Sequence, residues 1–150
     1  MSTTLLSLST RVQRLIGDTD ANNPRWESAD LMNAMSDSLE DFNADIRLNA
    51  EYEVLGTSNS RYYSPDPTAL HKNVLCCYAG LYLLTAEKAK AAREAISYSN
   101  ASGGTNLTAI SSALDDSITS LMTKMNMIID REIRYEIEDD MESREITTQE

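Results

Sequence analysis

Imidazole is almost missing from this sequence: His71 is the single histidine in 150 residues. The many serines and threonines therefore share one possible base, and no carboxylate stands three or four residues after it to orient the ring. His71 reads as a surface or packing residue. Cysteine is scarce as well, with Cys76 and Cys77 adjacent in the chain. One histidine and two neighbouring cysteines match no tetrahedral zinc spacing. A vicinal disulfide inside a helix would be strained, so both thiols read as reduced, small hydrophobes. Glycine is sparse too, and no glycine-rich loop precedes a helix to cradle a phosphate. The three prolines all fall between Pro24 and Pro67, which leaves the rest of the chain free to be helical. No apolar run approaches the roughly 18 residues of a membrane span. Leu5-Leu6-Ser7-Leu8 is broken by Ser9, Thr10 and Arg11, a pattern that predicts no leader and a cytosolic chain. Basic residues are outnumbered, 13 against 24 acidic, for a formal net charge of −11. Such a balance disfavours gripping nucleic acid, because that requires Lys and Arg on phosphates.

What remains is a one-domain chain with a thin core. Hydrophobic residues make up 41%, but Leu, Ile, Val and Phe together number only 30 of 150, the lower edge for an independently stable globule. Leu5, Leu8, Val12 and Leu15, with Ile16 alongside, are spaced for one helix face that closes at Gly17. After a polar loop, Ser28 is the expected N-cap of a second helix. Its stripe is Leu31, Met35, Leu39, Phe42 and Ile46, running to about Leu48, with Asp37, Glu40, Asp41 and Asp45 on the outer face. Residues 51–64 alternate in the manner of a short β-hairpin or extended loop. Asp66-Pro67 predicts the start of a third helix, carried by Leu70, Val74, Cys77, Leu81 and Leu84 past Arg93, towards Tyr98. Gly80 within it marks a close helix crossing. The strongest periodicity comes last: Leu107, Ile110, Leu114, Ile118, Leu121, Met125 and Ile128. It then drifts through Ile129, Ile133 and Ile137. The expected fold is all-α: a four-helix bundle-like body over residues 1–129, a hairpin or loop between helices 2 and 3, and a C-terminal arm.

The charge is placed unevenly. Residues 1–72 carry 11 acids and 6 bases, residues 73–129 carry 4 of each, and residues 130–150 carry 9 and 3. The last segment holds few apolar residues among its acids, the composition of a tail that is either disordered or ordered on a partner. No catalytic constellation emerges. Asp18-Thr19-Asp20-Ala21-Asn22 starts like a calcium loop but has Asn23 at position six and Ala29 at position twelve. No metal, cofactor or enzymatic activity is expected. The Met122, Met125 and Met127 group reads as adaptable packing. Trp26, before the second helix, is a packing or subunit-interface anchor, and Tyr52, Tyr62 and Tyr63 are candidates for the same role.

The order of these elements resembles a known family. RVQRLIGD (Arg11 to Asp18), a loop, and RWESADLMNAMSDSLEDFNADI (Arg25 to Ile46) are similar to the N-terminal half of tailed-bacteriophage head–tail adaptors, also called head-completion or connector proteins. The matching residues are Gly17 and Asp18 at the end of a short helix, and Trp26, Ser28 and Leu31 in a tryptophan-led helix start. The resemblance implies a non-enzymatic structural protein of the virion neck. Such a protein forms a homo-oligomeric ring, commonly dodecameric, between the portal protein and a downstream tail or neck protein, away from any membrane. DNA passes through its channel without specific binding. By the same analogy, Ile133, Ile137, Met141 and Ile146 of the arm are the expected portal-binding residues. A small helical regulator that recruits a partner through its acidic tail is the alternative from another functional class.

Overall fold

The computed structural model describes residues 3–20, 22–46, 51–98 and 105–133, with the side chains of 95–98, 105–110 and 132–133 excepted. Five α-helices and one two-stranded sheet make up the fold of the described residues. In order they are α1 (Leu5–Leu15), α2 (Ser28–Asp37), α3 (Leu39–Asp45), β1 (Glu53–Leu55), β2 (Tyr62–Ser64), α4 (Ala69–Tyr98) and α5 (Thr105–Ile128). With α2 and α3 taken as one bent helix, this is the expected all-α, four-helix body with a short hairpin between its second and third helices.

The long α4 is the spine. It packs on α1, α2, α3 and α5, and its inner face contributes Val74, Leu75, Cys76, Cys77, Ala79 and Leu84 to the core. Leu5, Leu8 and Val12 come in from α1, Leu31 and Met35 from α2, and Leu114, Leu121 and Met125 from α5. These are the apolar stripes of the sequence, each turned towards α4. Burial of such stripes is the main stabilising term for helices of this length.

Three boundaries differ from the sequence expectation. The second helix is divided at Ser38, although the apolar spacing runs straight through. Ser36 Oγ donates to the Met32 carbonyl at 3.0 Å, a back-bond of the kind that bends helices. The Tyr63 hydroxyl donates to the Met35 carbonyl at 3.2 Å, the acceptor that an unbroken helix reserves for Leu39. At its start, the N-cap is Glu27 and not Ser28, because Glu27 and Asp30 form a capping box, with Glu27 N–H donating to Asp30 at 3.2 Å. The third helix begins at Ala69 and not at Pro67. There Thr68 Oγ1 accepts the His71 N–H at 3.2 Å, while Asp66 turns away to accept the Thr3 N–H at 2.7 Å.

The hairpin is antiparallel, with Glu53 opposite Ser64, Val54 opposite Tyr63 and Leu55 opposite Tyr62. Its turn needs glycine at position 56, where φ is +88° and a Cβ would lie 2.7 Å from the Ser60 carbonyl oxygen. The hairpin is tied to the start of α1, since Leu5 N–H donates to the Arg61 carbonyl at 2.9 Å. At the far end, α5 widens into a π-helical turn over Ile129–Ile133. The extra residue per turn accounts for the drift of the apolar stripe there. Of the expected arm, residues 134–150 lie outside the described residues.

Candidate functional site

Two constructions in this molecule go beyond ordinary core packing. The first joins the end of α1 to the start of α2. Gly17 leaves α1 with φ at +75°, the left-handed conformation that ends many helices. The turn aims Asp18 across the loop, where its carboxylate accepts the Arg25 N–H at 3.0 Å and the Trp26 N–H at 3.2 Å. Trp26 is thereby fixed just before the Glu27–Asp30 box, half-buried against the core, with the Arg25 guanidinium 5.1 Å from its ring centre. Arg25 also pairs with Glu87 of α4. Replacement of Asp18 by alanine is expected to cost about 2 kcal/mol, since two amides lose a charged acceptor. On thermal unfolding this reads as a fall in Tm of about 5 °C, with Asp18→Asn losing less.

The second construction is an aromatic box around Phe42. Tyr52, His71 and Tyr78 stand at ring-centre distances of 5.8, 6.1 and 5.7 Å from Phe42. His71 is buried, and its Nδ1 shares a 2.7 Å hydrogen bond with the Tyr52 hydroxyl. Its ring packs edge-on against Phe42 and Tyr52. Asn43 clamps the same hairpin to α3 by accepting the Tyr52 N–H at 3.1 Å and donating to its carbonyl at 2.8 Å. On the outer side, the Tyr78 hydroxyl donates to Asp45 at 2.7 Å. Burial, with Asp45 beside it, raises the Tyr78 phenol above its ordinary range. An apolar groove opens next to it between α3 and α4, about 570 Å³ in volume and edged by Asp41, Asp45 and Tyr82.

The four aromatic candidates thus fall into different places. Tyr52 and Tyr63 are interior residues, 6% and 1% exposed. Trp26 and Tyr62 are half-buried. Ile133 is the last described residue, and Ile137, Met141 and Ile146 lie outside the described residues. The outer face of the bent helix carries Asp37, Glu40, Asp41 and Asp45, all exposed as the pattern implied. Arg61 was not visible from the sequence as a structural residue. Its guanidinium donates to Ser36 Oγ at 3.2 Å and to Asn33 Oδ1 at 3.1 Å, gripping α2 where it bends.

Cys76 and Cys77 are free and buried. Burial pushes the Cys76 thiol up to about 12 and raises Cys77 as well. The folded state therefore holds these protons more tightly than the unfolded chain, whose thiols ionise near 9. Their contribution to stability is complete below pH 9 and is lost as pH rises towards 12. Each thiol sets a slope of up to about 1.4 kcal/mol per pH unit. Urea unfolding between pH 9 and pH 10 is expected to show a falling midpoint, to which the buried Tyr63 and Tyr78 phenols add, and Cys76→Ala a shallower fall. Equal slopes would rule out this account of the thiols.

Among the described residues, no group of three or more His, Cys, Asp or Glu side chains could hold a metal ion. No described helix is long and apolar enough to cross a membrane. No family model matches the chain, and neither does any curated protein or solved structure.

Proposed function

We propose that this chain is a structural subunit of a tailed-phage neck, a head–tail adaptor that assembles as a ring beneath the portal. The observation that supports this most is the Asp18 clasp. Gly17, Asp18 and Trp26, three of the residues that carry the resemblance, stand on the two sides of the α1–α2 loop and act as one unit. The helix-ending glycine aims the carboxylate, and the carboxylate positions the tryptophan.

Two further features suit this role. A core built from few large aliphatic residues is appropriate to a subunit that gains stability from its neighbours in a ring. The exposed acids of α2 and α3 would let a channel pass DNA without holding it, because each exposed lysine there would be a phosphate contact. The C-terminal segment, acidic with Ile133, Ile137, Met141 and Ile146 spaced along it, supplies the arm that reaches the portal.

The test is assembly. Native mass spectrometry and electron microscopy of the full chain, alone and with cognate portal rings, are expected to show a ring of about twelve copies, formed on its own or on the portal. A chain that stays monomeric and does not bind portal rings would falsify the adaptor reading.

A further inference from the structure

A basic face lies along α1 and α5 of this acidic protein. Three adjoining hollows of about 500, 340 and 520 Å³ all include Lys124, and together they form a furrow along α5 beside α1. Arg11 and Arg14 reach it from α1, Lys124 from α5, and Arg131 from the π-helical turn. All four are exposed. Among the described residues none of them enters an ion pair. Among the described residues Asp116 is the one acid lining the furrow, and Asp130 beside Arg131 is already engaged. Between the cations lie apolar patches, half-buried Leu15 and Met127, the latter 49% exposed. Exposed methionine next to unpaired cations is the composition of a seat for an acidic, apolar-spaced peptide.

We infer that this furrow is the docking site of the chain's own C-terminal segment, residues 134–150. That segment carries seven acidic residues and two basic ones, with Ile137, Met141 and Ile146 between them. It begins three residues after Arg131, which lines the end of the furrow. From Asp116 to Arg131 the furrow follows about 22 Å of helix, and seventeen residues span about 25 Å even when helical. The segment can therefore turn back and cover it. The groove between α3 and α4 is a poor seat for the same segment, because Asp41 and Asp45 edge it and would repel its carboxylates. Docking in cis does not depend on ring assembly. It would make any other engagement of the segment competitive, lowering the apparent affinity for that partner in proportion to the undocked fraction.

Zero-length cross-linking of the full chain tests this. Equal amounts of ¹⁵N-labelled and unlabelled protein are mixed at low concentration, treated with a water-soluble carbodiimide, digested and read by mass spectrometry. The expected product joins Lys124 to carboxylates between Glu136 and Glu145, within chains of a single isotope. Hybrid-isotope links would overturn docking in cis and point to arms exchanged between copies. Absence of Lys124 links, or equal yields at Lys88 and Lys90, would overturn the furrow as the site. Reversing two cations in the full chain, Arg11→Glu with Arg14→Glu, is expected to reduce the Lys124 yield about fivefold. Both positions are exposed, so helical circular dichroism should not change. Should the double variant lose helicity, about 0.5 M salt applied to the native chain screens the same attraction and is expected to give the same reduction. A yield that withstands both changes would overturn the electrostatic basis of the docking.

Discussion

Phe42→Ala is expected to destabilise the protein by about 3–5 kcal/mol, the range for a large aromatic side chain removed from a closed core. Phe42 is 0% exposed and has Tyr52, His71 and Tyr78 around it. Its position makes the loss hard to absorb. The helix α3 has seven residues, too few to persist without tertiary packing. Among the described residues, Leu39, Phe42 and Ile46 are the apolar side chains that hold this short segment in the core. Without the Phe42 ring, the Tyr52–His71 hydrogen bond loses its dry surroundings and Asn43 loses a fixed platform from which to clamp the hairpin. The damage therefore spreads from α3 to β1. Against a typical total stability of about 5–15 kcal/mol, the variant retains little margin. Thermal unfolding followed at 222 nm is expected to move down by about 10 °C. Phe42→Leu keeps most of the volume and should lose less than half as much. A change below about 1 kcal/mol in Phe42→Ala would mean that the aromatic box is not a structural unit.

Periodicity made the four apolar stripes legible, because each stripe faces the same spine and no polar residue competes for its positions. The hairpin was legible for a similar reason: alternation in Tyr52 to Val54 and a glycine at position 56 are local signals, read without knowledge of a partner. The features that escaped are those in which a distant group acts on a local pattern. Nothing between Leu31 and Ile46 announces a break at Ser38. The agents are Tyr63, which takes the Met35 carbonyl, and Arg61, which holds Ser36. Both arrive from a hairpin some twenty-five residues away in sequence. The start of α4 departs from the sequence expectation for the same reason. Asp66 is a good cap in isolation, but Thr3 draws it off and Thr68 is left to do the capping. His71 lacked a carboxylate neighbour in sequence and acquired a tyrosine in space. In the candidate site, the Gly17-Asp18 pair was visible as a helix ending. That its carboxylate reaches Arg25 and Trp26 requires the loop to fold back, which no local pattern encodes.

Gly80→Leu is the second substitution expected to have a large effect, and here the sequence signal and the geometry coincide. A glycine in the middle of a 30-residue helix costs about 1 kcal/mol relative to alanine, so something must offset it. A Cβ at position 80 would stand 2.9 Å from Leu121 Cδ2 and 3.0 Å from Ile16 Cγ2. Three elements therefore meet at this point: α4 itself, α5 through Leu121, and the end of α1 through Ile16. Gly80→Ala gains helix propensity and asks two side-chain ends to move a few tenths of an ångström. Those terms oppose each other, and the expected net change is within about 1 kcal/mol. Gly80→Leu adds three more carbons at the same crossing, and repacking of rotamers alone cannot accommodate them. The helices must separate, at a cost of about 3 kcal/mol or more. Because Ile16 and Leu121 also floor the basic furrow, the separation would widen it. Amide exchange in α5 around Leu121 should then speed up in Gly80→Leu and stay near native in Gly80→Ala. Equal stability of the two variants would show that α4 does not need the close approach. The glycine would then have to be explained by something other than packing.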